Sequence, residues 1–118
     1  MVEDRITDGR RIAQLLASEL TGLERGALAD VAIVDADTDV EPTPEGAVAY
    51  RVTHGESEVA VVRVTPATAR LTVRADIRGV PDRDDVTVEG DTLVAHSGAA
   101  VKGLVDALVE TLDAYSGH

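Results

Sequence analysis

The stretch that decides the fold is residues 47–64, AVAYRVTHGESEVAVVRV. Two valine-rich runs, Ala47–Thr53 and Glu58–Val64, contain apolar and polar residues in the alternation that is typical of strands. The segment between them, His54-Gly-Glu-Ser57, is short enough to return the chain directly. The pattern therefore predicts two strands that are antiparallel neighbours in one sheet.

The register of this hairpin depends on the length of its loop, because a shift of one residue turns every side chain to the opposite face. A three-residue loop with a bulge at Gly55 gathers the apolar residues of both strands on one face, and we favour it. That face then holds Val48, Tyr50, Val52, Ala60, Val62 and Val64. A two- or four-residue loop would replace the last three with Val59, Val61 and Arg63.

Similar short runs of β-branched residues occur on both sides of this hairpin. The predicted strands are Asp30–Asp37, Ala47–Thr53, Glu58–Val64, Ala69–Ile77, Val86–Val88 and Thr92–His96. Two more connections, Thr65–Thr68 and Glu89–Asp91, are tight turns between consecutive strands. The sequence therefore predicts an antiparallel meander of four to six strands.

Apolar residues at helical spacing precede and follow the strands. The first predicted helix covers about residues 4–21, with Gly22 as a left-handed cap, and the second begins after Ser97 as its N-cap. The apolar arc of the second helix exceeds the roughly 100° that a surface helix needs, so we expect it to contact the first helix or another subunit. The apolar stripes consist of Ile6, Ile12, Ala13, Leu16 and Leu20, and of Val101, Leu104, Val105, Leu108, Leu112 and Tyr115.

These elements predict a two-layer α+β fold. An antiparallel meander sheet of four to six strands carries the N- and C-terminal helices on one face and leaves its other face to solvent or a partner. The chain has 118 residues, enough for one core and too few for two. We therefore expect a single domain over residues 1–118.

The charge balance is strongly acidic. The chain has 22 Asp and Glu against 11 Lys and Arg, a net charge of −11, and its only lysine is Lys102. Molar salt shortens the Debye length to about 3 Å, so crowded carboxylates repel one another little and keep the surface hydrated. The composition therefore indicates a halophilic type of protein.

Composition also limits the possible location and chemistry. The chain has no cysteine, which excludes disulfides and thiolate metal sites. Its charged start, MVEDRITDGRR, lacks the apolar segment of a signal peptide, and no run approaches the roughly 18 apolar residues of a membrane span. We expect a cytoplasmic protein without a membrane contact.

An acidic segment, VDADTDVEPTPEG at residues 34–46, raises the question of a calcium loop. Asp35, Asp37 and Asp39 fit positions 1, 3 and 5 of an EF-hand, but position 6 is Val40 and position 12 is Gly46, where glycine and glutamate are required. The expected flanking elements are strands rather than helices. We interpret the segment as a solvated loop, with Asp35, Asp37, Asp39 and Glu41 as weak cation candidates.

Five arginines lie in or at the end of the predicted strands: Arg51, Arg63, Arg70, Arg74 and Arg78. In residues 69–78, arginines alternate with apolar residues, so that strand has a basic face and an apolar face. One hypothesis is a surface that docks an anion or an acidic protein partner. The alternative is structural: the arginines pair across strands with Glu58 and Asp76, and their stems cover the sheet.

No residue pattern indicates catalysis or a cofactor. The three histidines lack zinc-ligand spacing, and His96 and Ser97, being neighbours on an extended strand, would point to opposite sides. The segment SGAAVKG at residues 97–103 matches no nucleotide-binding loop. Nucleic acid is disfavoured by the net charge and by the absence of Phe and Trp.

The sequence leaves the function unknown and supports two hypotheses. The favoured one is a non-catalytic module for protein interaction or self-association, with a homo-oligomer expected. The alternative is a small-ligand binder or enzyme with a pocket between the helices and the sheet. Nucleic-acid binding through the arginine-bearing face is a less favoured third hypothesis.

Overall fold

The computed structural model of the chain describes residues 8–22, 31–37, 39–74 and 84–116, with the backbone alone for residues 113–116. Two helices and six strands are found in these residues. The helices are α1 (Gly9–Gly22) and α2 (Val101–Ser116), and a 3-10 turn at Gly98–Ala100 leads into α2. The strands are β1 (Val31–Val34), β2 (Ala47–His54), β3 (Ser57–Val64), β4 (Ala69–Val73), β5 (Val86–Glu89) and β6 (Thr92–Ala95).

All six strands form one antiparallel sheet, in the order β1-β2-β3-β4-β6-β5. The predicted two-layer α+β class is confirmed. The first four strands form a meander, and the final hairpin is then inserted with β6, rather than β5, beside β4. Burial explains this order: Leu93, Val94 and Ala95 of β6 are all buried, whereas β5 buries only Val86.

The hairpin of β2 and β3 has a two-residue loop, Gly55-Glu56, so the predicted three-residue loop is wrong. The favoured face is nevertheless largely correct, because Tyr50 lies opposite Val62 and Val52 opposite Ala60. The register shift occurs instead where Val59 is left without a partner, and Gly55 provides the turn with a positive φ of 65°.

Val48 lies on the opposite face from the one predicted. It is paired with Arg63, while Tyr50 is paired with Val62, so Ala49 is an extra residue in β2. This second bulge reverses the alternation and leaves Val48 37% exposed, while Ala49 is buried. A single sequence gives no signal for such an insertion, because Ala49 fits either face.

Both helices cover the same face of the sheet, and α2 also packs along α1. The wide apolar arc of α2 is thereby explained: Val105, Ala107 and Leu108 are all buried within one chain. The contact with the first helix, one of the two that we expected, is the one observed. The core between the layers includes Ile12, Leu16, Leu20, Tyr50, Val52, Val62, Val64, Leu71, Leu93, Leu104, Leu108 and Leu112.

Helix α1 begins at Gly9, where Asp8 accepts a 2.9 Å hydrogen bond from the backbone nitrogen of Arg10. The backbone nitrogen of Gly9 donates to the carbonyl of Pro66 at 3.3 Å, in the turn between β3 and β4. A β-carbon on Gly9 would collide with the carbonyl oxygens of Thr65 and Thr68. Glycine therefore lets the helix start in contact with the sheet, and residues 4–7 of the predicted helix lie outside the described residues.

Ser97 does not cap α2 as predicted. Its backbone is extended, its side chain makes no capping hydrogen bond, and its Oγ donates to Oδ2 of Asp85 at 3.3 Å. The serine hydroxyl thus donates to a charged acceptor, the Asp85 carboxylate just before β5, instead of accepting from a helix N–H. The serine therefore ties the last hairpin to the start of the 3-10 turn.

The remaining differences concern the ends of elements. Gly22 is the last residue of α1 and lacks the positive φ of a left-handed cap, so that prediction is wrong. β1 stops at Val34 because Asp35 has a positive φ of 55°, which turns the chain out of the sheet. β4 ends at Val73, and the rest of the predicted strand, residues 75–77, lies outside the described residues. Neither described helix is both long and apolar enough to span a membrane.

Candidate functional site

The face of the sheet that carries no helix is called the open sheet face below. The strand register places residues that are directly opposite one another on the same face. The open sheet face holds Ala32, Val34, Val48, Arg51, Thr53, Glu58, Val61, Arg63, Arg70, Thr72, Thr87, Glu89, Thr92 and Val94. Arg74 follows Val73 at the end of β4, and its side chain reaches Glu58 on this same face.

One end of the open sheet face is an ion-pair network centred on Glu58. Its Oε1 accepts a 3.1 Å hydrogen bond from Nη1 of Arg51, and its Oε2 accepts one of 2.6 Å from Nε of Arg74. Nη2 of Arg74 also contacts Oε2, and Nε of Arg51 lies 3.6 Å from Oδ2 of Asp35. Glu58 thus holds two guanidinium groups that flank it on β2 and β4.

These contacts lower the pKa of Glu58. The hydrogen bond from Arg74 has the largest effect and the one from Arg51 adds to it, while partial desolvation opposes both. The carboxyl therefore stays ionised at neutral pH. A general acid or base works best with a pKa near the operating pH, so Glu58 is poorly suited to catalysis.

The middle of the face brings two arginines together. Arg63 on β3 lies directly opposite Arg70 on β4. Nη2 of Arg70 is 3.2 Å from Oε1 of Glu89, while its Nε is buried and has no hydrogen-bond partner. For Arg63, no carboxylate among the described residues lies within ion-pair distance. The four described arginines of the predicted strands thus share one face, and Arg78 lies outside the described residues.

Two valines are buried on this face, away from the core between the layers. Val61 is 6% exposed and lies between Arg51 and Thr72 in the register, and Val94 is 3% exposed and lies between Arg70 and Thr87. The apolar stems of arginine can cover such positions while the charged ends reach water. The open sheet face is therefore a thin apolar layer beneath a layer of guanidinium, hydroxyl and carboxylate groups.

The acidic loop does not assemble a cation site. Asp35 is turned towards Arg51, and Oδ1 of Asp37 accepts a 3.0 Å hydrogen bond from the backbone nitrogen of Asp39. The backbone nitrogen of Asp37 donates to the carbonyl of Ala49 at 2.8 Å, which attaches the loop to the bulge in β2. In the described part of the chain, these residues and Glu41 do not form a group of three that could hold a metal ion.

His96 and Ser97 make separate contacts. Nε2 of His96 is 2.7 Å from Oγ1 of Thr87, and Oγ of Ser97 is bonded to Asp85. The backbone nitrogen of His96 also donates to the carbonyl of Asp85 at 2.9 Å. These bonds do not join a ring nitrogen of His96 to the hydroxyl of Ser97. The two residues therefore attach neighbouring segments to each other and lack the geometry of a nucleophile and its base.

Two cavities adjoin the sheet in the described part of the chain. One, of about 120 Å³, lies between α1 and β2 and is lined mainly by apolar side chains, with Ala13, Ile33, Val40 and Tyr50 among them. The other, of about 360 Å³, is lined among the described residues by Ser57, Glu58, Val59, Val73, Arg74, Thr111 and Leu112. Ligand sites commonly measure about 300–1,000 Å³, so only the second has a suitable size.

A protein-family model described as "Family of unknown function (DUF7993)" matches residues 1–118. The chain belongs to the DUF7993 family. No curated protein and no solved structure matches this DUF7993 chain. Its binding capacity is therefore inferred from its own side chains.

Sequence reasoning missed two residues that lie against arginines of the open sheet face in this DUF7993 chain. Glu89 pairs with Arg70 across β6, a contact that follows only from the insertion of β6 between β4 and β5. Gly46, with a φ of 97°, lies so close to Arg63 that an added β-carbon would be 3.2 Å from the Arg63 β-carbon. The glycine before a predicted strand was the available signal for a close approach.

Proposed function

We propose that this DUF7993 chain is a non-catalytic protein-interaction module that docks an acidic segment of a protein partner on the open sheet face. The observation that carries the proposal is the asymmetry of the sheet. One face is covered by both helices, while the other presents Arg51, Arg63, Arg70 and Arg74 on three adjacent strands.

Charge complementarity supports an acidic partner. Among the acidic residues that the structure describes, Asp35, Glu58 and Glu89 pair with these arginines. Four guanidinium groups thus face three carboxylates, in a chain whose net charge is −11. The face gathers four guanidinium groups on this acidic surface, and directed hydrogen bonds from arginine retain strength where salt screens longer-range attraction.

A second copy of the chain is the competing occupant. The sequence suggested that spare apolar surface on α2 would support self-association, but α1 covers much of that surface. The large apolar side chains exposed among the described residues are Val34, Val48 and Val88, each at 37–40%. Two of them, Val34 and Val48, lie on the open sheet face, so a homo-oligomer would use the same surface.

A small-ligand or enzymatic function is the alternative that the 360 Å³ cavity favours. Among the described residues that line it, the charged ones are Glu58 and Arg74, which are already bonded to each other. The lowered pKa of Glu58 also removes it from the range in which a carboxyl transfers protons at neutral pH. These two features make the docking function the better supported one.

Nucleic acid is a weaker candidate for the same face. Bases bind to sheets by stacking on aromatic side chains, and Tyr50 is buried on the helix side. The chain has one further tyrosine and neither Phe nor Trp. The arginines of the open sheet face therefore have no described aromatic neighbour on which a base could stack.

The proposal includes the working environment. A net charge of −11 with a single lysine supports a halophilic protein that functions in the concentrated salt of a cytoplasm. In dilute buffer the same carboxylates would repel one another over a Debye length of about 30 Å at 0.01 M ionic strength. Docking is therefore to be measured at raised KCl.

The test is a nuclear magnetic resonance titration of the labelled protein with a capped hexaglutamate peptide in about 0.5 M KCl. Saturable shifts are expected in β2, β3 and β4, and a variant with Arg51, Arg63, Arg70 and Arg74 all changed to glutamine should lose them. Lys102→Gln, an exposed position on α2, is the matched control and should bind normally.

Three outcomes would overturn the proposal: no saturable shift, shifts confined to the helix layer, or equal binding by the four-fold glutamine variant. Light scattering at about 2 M KCl addresses the competing occupant, because the Debye length is then below about 3 Å and charge repulsion cannot keep copies apart. A dimer whose open sheet face is protected from hydrogen exchange would assign that face to self-association instead.

A further inference from the structure

Arg63 and Arg70 form an unusual pair within the open sheet face. They are directly opposite each other on neighbouring antiparallel strands, where side chains lie about 5 Å apart at their β-carbons. Like charges in this position repel and destabilise the pairing. An anion close to both guanidinium groups would offset this repulsion.

The described residues supply that anion to one arginine alone. Glu89 reaches Arg70 at 3.2 Å, whereas Arg63 has no carboxylate within ion-pair distance among the described side chains. The register neighbours of the pair are Val48 next to Arg63 and Val94 next to Arg70, and neither is charged. The pair therefore retains an unmatched positive charge.

A second observation concerns the donors of Arg70. Its Nε is shielded from solvent and has no acceptor, although buried polar atoms are nearly always hydrogen-bonded. The guanidinium of Arg70 is held in this position by Glu89, whose Oε1 accepts a hydrogen bond from Nη2. Arg70 thus has an unused donor on the middle strands of the same face.

The stem of Arg63 is positioned by the loop before β2. Gly46 lies against the β- and δ-carbons of Arg63, at 3.2 and 3.5 Å from where a glycine β-carbon would be. The backbone nitrogen of Gly46 donates to the carbonyl of Thr43 at 3.0 Å, which fixes this turn. The half-buried Arg63 is therefore confined on one side, and its charged end lies beside Arg70.

We propose that Arg63 and Arg70 together bind one side-chain carboxylate of the acidic partner segment. This rests on the proposed function and names the group that the open sheet face recognises. A carboxylate has two oxygens in a plane and can accept from both guanidinium groups, including Nε of Arg70 after a small rotation of that side chain. Binding would replace the repulsion between the two arginines with two charge-assisted contacts.

The chemistry favours a carboxylate over a phosphate. Asp35, Glu58 and Glu89 lie on or beside the same face, and they would repel a dianion more strongly than a monoanion. A single negative charge matches the one guanidinium that the described carboxylates leave unpaired. Inorganic phosphate is therefore the ligand to compare with the hexaglutamate peptide in the titration.

The experiment compares single substitutions in the hexaglutamate titration and follows the Nε–H resonances of the arginine side chains. Arg63→Gln and Arg70→Gln should each weaken binding about tenfold or more, the loss expected for a charge-assisted contact. Arg74→Gln, on the same face but held by Glu58, should weaken it less than about threefold, and Lys102→Gln should leave it unchanged. In the unaltered protein, the Arg70 Nε–H signal should move on binding.

The outcomes distinguish carboxylate binding by Arg63 and Arg70 from the docking function of the whole face. If the peptide binds the open sheet face but Arg63→Gln and Arg70→Gln weaken peptide binding no more than Arg74→Gln does, the role of this pair is wrong and the proposed function stands. If no peptide binds, both fail. If inorganic phosphate moves the Arg70 signal at lower concentration than the peptide does, the site is a phosphate site and the carboxylate assignment is overturned. Circular dichroism of each variant excludes unfolding as the cause of lost binding.

Discussion

The phenolic hydroxyl of Tyr50 donates a 2.7 Å hydrogen bond to the carbonyl oxygen of Ala13, joining β2 to α1 across the core. The side chain is 5% exposed, and burial raises the pKa of the phenol above its ordinary value near 10. This bond is a buried polar link between the sheet and the first helix.

Tyr50→Phe should lower the free energy of unfolding by about 1 kcal/mol, because it removes a buried hydrogen bond while keeping the ring. The raised pKa adds a pH dependence. The stability from the neutral phenol is fully present below the unfolded pKa of about 10 and is lost as the pH rises above it. Urea unfolding at pH values from about 8 to 11 measures this, and Tyr50→Phe should show a smaller alkaline loss. Parallel curves for the two proteins would contradict the prediction.

Glu58→Gln should change the stability in acid. The folded pKa of Glu58 is lowered, first by Arg74, so its ionised form contributes stability above the unfolded value of about 4.3. That contribution is lost as the pH falls through the folded pKa. Unfolding between pH 7 and pH 3 should therefore show a gap between wild type and Glu58→Gln that narrows towards low pH. Glu56→Gln, exposed in the adjacent turn, is the control, and a gap independent of pH would be the contrary result.

Gly9→Ala should destabilise the chain by about 1–3 kcal/mol, the range for a forced steric overlap. The new methyl group would meet the carbonyl oxygens of Thr65 and Thr68, so the start of α1 must move away from the turn between β3 and β4. Gly22→Ala is the matched control, because nothing lies within 4 Å of its added β-carbon. Thermal unfolding of both variants at equal salt is the measurement, and equal midpoints would contradict the close approach.

Salt should stabilise the fold over a wide range. The net charge of −11 predicts that the unfolding midpoint rises with KCl and that the chain loosens after complete desalting. Replacing the exposed Asp106 and Glu110 on α2 with Asn and Gln removes two negative charges and should flatten this dependence. Circular dichroism during dialysis measures the effect. A spectrum that stays native-like without salt would remove the basis of the halophilic assignment.

The alternation of apolar and polar side chains predicted the strands and the α+β fold class, because this alternation depends only on the local geometry of an extended chain. Residues such as Leu71, Val73 and Arg70 occupy the faces that their spacing predicts. Ala49 and Val59 show where this fails: each is an extra residue at a bulge, and neither type prefers such a position. The place of β6 also depends on which apolar surface remains uncovered after four strands have paired, and this is a property of the whole sheet.

The candidate site was predictable to a similar extent. Arg51, Arg63 and Arg70 fall on the face without helices, as the period of the strands indicated. The partners were only partly foreseen: pairing with Glu58 follows from neighbouring strands, but pairing of Arg70 with Glu89 requires the inserted hairpin. The opposition of Arg63 and Arg70 follows from the four-residue turn at 65–68, which pairs Val64 with Ala69 and leaves the register of β3 and β4 regular.

The insertion of β6 has a consequence for synthesis on the ribosome. Residues 69–72 of β4 cannot find their outer partner until residues 92–95 have been translated and have left the exit tunnel. In that interval the nascent chain presents β4 as an unprotected edge, which can pair with other chains. Translation speed through residues 74–95 should therefore influence how much of the protein escapes misassembly.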